Sequence, residues 1–132
     1  MSKPLYPSLN PATYLDLAKE LSSKSEMAAI RTAADRAYYA AFLTSRDLLS
    51  DKGYLIPEYG LSDHQDVIET LKKKEVLGSF GNEEFRLRDA RNKITYDTRD
   101  LKWGDKGVCS IDWMLDTAKK IIDRVNALPP KS

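Results

Sequence analysis

The chain has 132 residues, of which 42% are hydrophobic and 31% are charged, and this composition is typical of a single soluble helical domain. Its 21 basic and 20 acidic residues leave a formal net charge of +1, so an anion would have to be bound by a local cluster of cations. The single cysteine, Cys109, excludes an internal disulfide and a cysteine-based zinc site, and it favours a cytoplasmic location. No stretch approaches the roughly 20 apolar residues of a membrane helix, so no membrane association is expected.

Two helices are predicted in the first half of the chain. Asn10 followed by Pro11 is typical of a helix start, because Asn can cap the helix and Pro at the first position loses no needed hydrogen bond. Ser25 is the predicted cap of the second and longest helix, which runs to about Leu49. Its apolar stripe carries seven alanines between residues 28 and 41, so neighbouring helices can approach it closely.

Capping signals predict two more helices in the middle of the chain. Ser62 and Gln65 match a capping box, which marks the start of the third helix. Gly78 and Gly81 flank a short turn, after which Asn82 can cap the fourth helix.

The fifth predicted helix follows a loop over residues 98–109, in which Gly104 and Gly107 are turn residues. Ser110 can cap this helix, and a pair of prolines at 129–130 ends it. Between these limits the apolar residues recur at the helical period, so one face of the helix should be buried.

No alternating strand pattern stands out, and the connections are mostly short, so sequential helices should be antiparallel neighbours. The sequence therefore predicts an all-α, up-and-down bundle of four long helices plus a short fifth. Its single domain would span residues 11–128, between an N-terminal arm over residues 1–10 and a tail over residues 129–132.

The fourth helix carries an arginine at the edge of its apolar face. Leu87, Ala90 and Ile94 share that face, since they are spaced by three and four residues. Arg91 borders it, four residues after Leu87. Arg91 is therefore either a stem that lies along the core with its charged end in water, or a group held in a cleft for a purpose.

Arg88, Asn92 and Tyr96 follow one stripe of the same helix, spaced four residues apart. An arginine, an amide and a phenol can bind a phosphate and a base, because guanidinium matches phosphate oxygens bidentately and the ring can stack. The alternative is a hydrogen-bond lattice, including Asp97, that fixes a helix pair or a dimer interface. The residue types alone leave both interpretations open.

Enzyme motifs are scarce in this chain. The only histidine, His64, lies in the first turn of a predicted helix, where the neutral imidazole is favoured and a general-base role is feasible. A packing role is the alternative. The sequence contains no P-loop, no dinucleotide-binding glycine motif and no Glu-x-x-His pair for a di-iron centre, so neither a cofactor nor a metal site is predicted.

Three segments resemble motifs of the HEPN domain family, and they occur in the family's order. Residues 35–42, DRAYYAAF, resemble the second-helix signature. Residues 62–68, SDHQDVI, resemble a third-helix segment of one subgroup, and residues 91–97, RNKITYD, resemble the fourth-helix motif. The resemblance covers roughly residues 12–128. Within the first segment the signature residues are Arg36, Tyr38, Tyr39 and Phe42.

The resemblance implies a helical bundle that pairs as a symmetric homodimer. Many HEPN proteins are metal-independent ribonucleases, whose motif is an Arg followed after four to six residues by a His. Counting from Arg91, Tyr96 stands where such a protein often has its His, and a phenol is a poor general base at neutral pH. The chain instead resembles the subgroup with an Arg-x-x-Ala-Asp-Tyr-Asp-like motif. The resemblance therefore implies the HEPN fold for this chain, but it does not imply full nuclease activity.

The resulting expectation is a HEPN-like module that binds RNA or a nucleotide, or docks a nucleotidyltransferase partner as in toxin–antitoxin and defence systems. Its binding residues would be those of the fourth helix: Arg88, Arg91, Asn92, Tyr96 and Asp97. One alternative is a metal-independent ribonuclease toxin that uses Arg91 with Tyr96 or recruits His64. Another is a purely structural or interaction protein, in which Arg91, Tyr96 and Asp97 lock the helices.

Overall fold

The computed structural model describes residues 4–73, 76–78, 80–102 and 109–132. This part of the chain contains five helices: α1 (Thr13–Ser22), α2 (Met27–Asp51), α3 (Ser62–Lys72), α4 (Phe80–Tyr96) and α5 (Ile111–Ala127). No strand occurs within the described ranges, so the all-α prediction is confirmed. None of these helices is both long enough and apolar enough to cross a membrane. The predicted turn residues Gly104 and Gly107 lie outside the described residues.

The helix lengths differ from the predicted four long helices and short fifth. α2 has 25 residues, α4 and α5 have 17 each, and α1 and α3 have 10 and 11. The described helices are thus three long ones and two short ones, α1 and α3, instead of four long ones and one short one. The HEPN-like arrangement of these helices stays a prediction.

The core forms around α2, which packs against α1, α4 and α5, while α3 packs mainly against α4. Small side chains on α2 allow its neighbours to approach closely. The larger side chains of Tyr38, Phe42 and Leu49 fill the space that remains between the helices. Five alanines of α2 are at most 1% exposed: Ala33, Ala34, Ala37, Ala40 and Ala41.

The helix starts agree with the predicted caps only in part. The Ser110 hydroxyl accepts a hydrogen bond from the N–H of Trp113 at 3.1 Å, which confirms the predicted cap of α5. The predicted caps at Ser25 and Ser62 are wrong, since neither side chain caps its helix and α3 begins at Ser62 itself. The predicted cap at Asn82 is also wrong, because α4 begins before it. A capping residue type signals a helix start nearby but leaves its position uncertain by a residue or two.

Cations at the N-terminal part of α2 and at its C-cap bind the ends of later helices. The Arg31 guanidinium donates to three backbone carbonyl oxygens at the end of α4, those of Ile94, Asp97 and Arg99. The Lys52 ammonium donates to three at the end of α5, those of Val125, Asn126 and Leu128. A helix leaves its last carbonyl groups without partners, so these cations satisfy them and complement the helix dipole.

Gly81 sets the distance between α3 and α4. A Cβ at Gly81 would lie 2.8 Å from the carbonyl oxygen of Ile68 and 2.8 Å from the backbone nitrogen of Lys72. The turn before α4 uses Gly78, whose φ is +56°. Gly81 therefore lies inside α4 and not at a turn, and it allows α4 to approach the helix that carries His64.

We expect Gly81→Ala to lower the melting temperature, because the added methyl group would overlap backbone atoms of α3 that cannot move aside. Overpacking of this kind costs about 1–3 kcal/mol, which corresponds to a decrease of roughly 5 °C or more for a domain of this size. Thermal unfolding followed by circular dichroism measures the effect. Gly60→Ala is the matched control, since a Cβ at Gly60 has no neighbour within 4 Å. An unchanged melting temperature in Gly81→Ala would contradict the close approach of α3 and α4.

Candidate functional site

Two side chains from different helices meet at the centre of the candidate site. Tyr38, on α2, is fully buried, and its hydroxyl forms a hydrogen bond with Nδ1 of His64, on α3. The His64 ring also stacks on Phe42, with ring centroids 4.0 Å apart and planes within 9°. His64 therefore packs against the core with one side and stays partly exposed. Two of the residues in the second-helix signature thus hold the only histidine of the chain in place.

The buried hydroxyl of Tyr38 decides which nitrogen of His64 carries the proton. Burial, followed by the charge of Glu84, raises the pKa of the Tyr38 phenol far above its usual range, so the hydroxyl keeps its proton. A buried O–H needs an acceptor, and Nδ1 of His64 is its one hydrogen-bond partner within the described residues. Tyr38 therefore donates to Nδ1, which assigns the proton of the neutral imidazole to Nε2.

Three guanidinium groups lie close enough to this imidazole to act on its charge. Burial lowers the pKa of His64 most. The positive charges of Arg88, Arg91 and Arg46 lower it further, while Asp63 acts in the opposite direction. The imidazole is consequently neutral near pH 7. We call these three arginines and His64 the cationic cluster; α2, α3 and α4 all contribute to it.

Arg91 is held by hydrogen bonds that join α4 to α2. Its Nε donates to Asp35 Oδ1 at 2.7 Å, and one terminal nitrogen donates to the Tyr39 hydroxyl at 3.3 Å. The other terminal nitrogen donates to Asn92 Oδ1 at 2.8 Å. The Arg91 side chain is only 15% exposed. It is thus not a stem with its charged end in water, because its guanidinium is bonded between two helices; whether it is held there for a functional purpose stays a prediction.

Asp35 is a residue of this network that the sequence did not single out for the site. Its spacing from Arg31 suggests a surface pair within α2, but Arg31 binds the end of α4. Asp35 instead accepts from Arg91 and from Arg36, whose Nε lies 3.1 Å from Oδ2. The guanidinium of Arg36 also lies 5.3 Å from the centre of the Tyr39 ring. The signal available in the sequence was the position of Asp35 as the first residue of the segment that resembles the second-helix signature.

Glu84 is a second residue that sequence analysis missed. Its side chain is fully buried, and neither carboxyl oxygen has a hydrogen-bond partner in the described part of the chain. Burial raises the pKa of Glu84 to about 8, against an opposing effect of Arg88. Glu84 is therefore mostly neutral near pH 7. An acidic residue near the start of a helix usually serves the helix dipole, and the sequence pattern gives no sign that this one is buried.

Arg88 is left without a balancing charge. It makes no hydrogen bond and no ion pair within the described residues, and it is partly exposed. Glu84, whose pKa the charge of Arg88 lowers, is mostly protonated near pH 7. Its positive charge lowers the pKa of both Tyr38 and His64. By contrast, Arg91 is paired with Asp35.

The remaining predicted site residues lie at the margin of the cationic cluster. Tyr96 is 70% exposed, and its ring centre lies 5.5 Å from the guanidinium carbon of Arg91. Asp97 is engaged by Arg99, whose terminal nitrogen lies 2.9 Å from Oδ2, and hydrogen bonds to Arg99 lower the Asp97 pKa to about 2. A carboxylate would repel a phosphate, so Asp97 fits a binding role less well than Tyr96. The described residues contain no group of three or more His, Cys, Asp or Glu that could hold a metal ion.

We expect Glu84→Gln to remove a pH-dependent loss of stability. The folded-state pKa of Glu84, about 8, lies above the ordinary value of 4.5, so the folded protein binds more protons than the unfolded chain between these values. The stabilising contribution of Glu84 to the free energy of unfolding is therefore fully present below about pH 4.5, and it is lost as the pH rises to about 8. The free energy of unfolding of Glu84→Gln, relative to the parent, should increase from about pH 5 to about pH 8.

Urea unfolding of both proteins across this pH range measures the difference. His64 titrates in both, so its opposite effect cancels in the comparison. Glu83→Gln, which removes a more exposed carboxylate from the same turn, should follow the parent. Parallel curves for the parent and Glu84→Gln would show that Glu84 ionises as an ordinary carboxyl group.

No protein-family model, curated protein or solved structure matches this chain. The resemblance to HEPN domains therefore rests on the three sequence segments, and the case for a function rests on the site itself. The site is a group of cations around a neutral imidazole, and the guanidinium of Arg88 has no hydrogen bond or ion pair within the ranges that the structure describes.

Proposed function

We propose that this chain is a HEPN-like helical module that binds RNA at the cationic cluster, without full ribonuclease activity. The observation that carries the proposal is the guanidinium of Arg88, which has no hydrogen bond or ion pair within the described residues and whose charge acts on the imidazole of His64. A partly exposed cation among like charges favours the binding of an anion, because the anion offsets the repulsion between the cations. A phosphate group supplies that anion, and guanidinium matches its oxygens bidentately.

His64 supports the same proposal through its tautomer. Since Tyr38 occupies Nδ1, the neutral imidazole can donate its Nε2 proton to a phosphate oxygen, and Nε2 has no hydrogen-bond partner within the described residues. Arg88 and His64 thus form a pair of donors from α4 and α3. The exposed ring of Tyr96, near Arg91, adds an aromatic surface of the kind on which bases stack.

The same tautomer is unfavourable for efficient cleavage of RNA. Attack by a ribose 2′-hydroxyl on the neighbouring phosphate needs a general base to take the hydroxyl proton. Nε2 already carries a proton and Nδ1 accepts from Tyr38, so neither nitrogen of His64 is free to accept.

The homodimer and the nucleotidyltransferase partner that the resemblance implies stay predictions, as does the cytoplasmic location.

We expect Arg88→Ala to weaken binding of a single-stranded RNA by about tenfold or more, because hydrogen bonds to charged groups contribute about 1.5–3 kcal/mol. Removal of one phosphate-binding cation should also reduce the slope of log affinity against log salt concentration by about 0.7. Fluorescence anisotropy with a labelled RNA at several salt concentrations gives both quantities. Lys120→Ala removes one exposed charge from α5 and is the matched control. Equal affinities and equal slopes for Arg88→Ala and the parent would contradict the proposal.

A metal-independent ribonuclease is the second candidate, favoured by the placement of His64 beside Arg88 and Arg91, the residue types of the family's catalytic motif. It predicts that the parent cleaves mixed RNA in the presence of EDTA and that both Arg91→Ala and His64→Ala abolish cleavage. Circular dichroism of each variant confirms that it is folded. Cleavage by the parent alone would establish this candidate, while intact RNA with all three proteins would exclude it. Cleavage that persists in both variants would indicate a contaminating nuclease.

A further inference from the structure

The loop between α2 and α3 holds one aromatic residue in an unusual backbone conformation. Tyr59 has φ +61°, and it is the one non-glycine residue with positive φ in the described ranges. A bulky side chain rarely adopts this left-handed conformation, because its Cβ crowds the backbone. Such positions persist only where the surrounding structure imposes them, and they are common in ligand-binding sites.

A buried carboxylate imposes the conformation of Tyr59. Asp63, in the first turn of α3, is 1% exposed. Its two oxygens accept hydrogen bonds from the backbone N–H groups of Glu58 and Tyr59, both at 2.9 Å. Asp63 is the residue before His64, so the same turn of α3 fixes the loop and carries the imidazole of the cationic cluster. The position of Tyr59 is thereby coupled to the position of the cluster.

The side chain of Tyr59 borders the cationic cluster and remains open to solvent. The guanidinium carbon of Arg46 lies 4.9 Å from the centre of the Tyr59 ring. The same guanidinium lies 5.9 Å from the Phe42 ring, on which His64 stacks. Even with Arg46 against it, Tyr59 is 72% exposed. An exposed ring that is held in a fixed backbone conformation loses little freedom when a flat ligand stacks on it.

We infer that Tyr59 is a stacking platform for a base of single-stranded RNA whose phosphate is bound by the cationic cluster. The inference rests on the proposed function and specifies its ligand, since bases in a duplex are already stacked and are not free to lie on a side chain. Stacking on an aromatic ring is tolerant of sequence, because every base has a π-face. The site should therefore prefer single strands over duplexes and discriminate weakly between sequences.

Two neighbouring apolar residues of the loop provide the comparison that distinguishes base stacking on Tyr59 from nonspecific apolar contact. Ile56 and Leu61 are 90% and 87% exposed, so they are more accessible than Tyr59. Neither Ile56 nor Leu61 has the three features that fix Tyr59: the positive φ, the hydrogen bond from the backbone N–H to Asp63 and the cation–π contact with Arg46. If the loop only offered apolar surface to a protein, all three residues would contribute to the contact.

The test uses the full chain and a short single-stranded RNA that contains 2-aminopurine, a base whose fluorescence is quenched on stacking. Tyr59→Leu should weaken binding by about tenfold and relieve the quenching, whereas Tyr59→Trp should bind at least as tightly as the parent. Ile56→Ala should bind as the parent does. Sedimentation of each variant reports its oligomeric state in the absence of RNA.

The outcomes distinguish this inference from the proposed function. If Arg88→Ala weakens binding and Tyr59→Leu does not, the inference is wrong and RNA binding at the cluster stands. If Tyr59→Leu changes the oligomeric state, or if Ile56→Ala weakens binding equally, the loop is a protein contact and the inference is wrong. If neither Arg88→Ala nor Tyr59→Leu alters binding, both the inference and the proposed function fail.

Discussion

The close approach of neighbouring helices to α2 is the constraint on which the rest of the structure depends. Five buried alanines keep the surface of α2 thin. The neighbouring helices can then come close enough for polar side chains on one helix to form hydrogen bonds with those on another. The bond from Arg91 to Asp35 depends on this closeness, and so does the bond from Tyr38 to His64. Larger residues at the alanine positions would push the helices apart and separate these partners.

Charge is distributed unevenly over the site that this packing creates. Arg91 is satisfied by Asp35, and its network joins two helices. Arg88 makes no ion pair within the described residues, and burial keeps the carboxyl group of Glu84, on which its charge acts, mostly protonated near pH 7. Within the described part of the site, Arg91 thus joins two helices, whereas Arg88 forms no ion pair. A residue whose charge the protein leaves unbalanced at a partly exposed position is a reasonable place for an anionic ligand.

The bond between Tyr38 and His64 separates the two functional interpretations of the site. A neutral histidine whose unprotonated nitrogen is free could act as a general base, whereas a histidine whose Nδ1 accepts from a buried hydroxyl is a hydrogen-bond donor at Nε2. The geometry therefore fits recognition of a phosphate better than activation of a hydroxyl group. Tyr59, fixed by Asp63 beside the same cluster, extends the site toward a base.

By itself, the sequence determined the helical class of the protein, the approximate limits of its helices and the alanine stripe of α2, because periodicity and turn glycines act over a few residues. It also directed attention to Arg91 and His64. Only the tertiary structure decided that Asp35 pairs with Arg91, that Glu84 is buried and that Arg88 makes no ion pair with any described residue. Such pairings depend on the offset and rotation of one packed helix against another, which no local pattern of residues specifies.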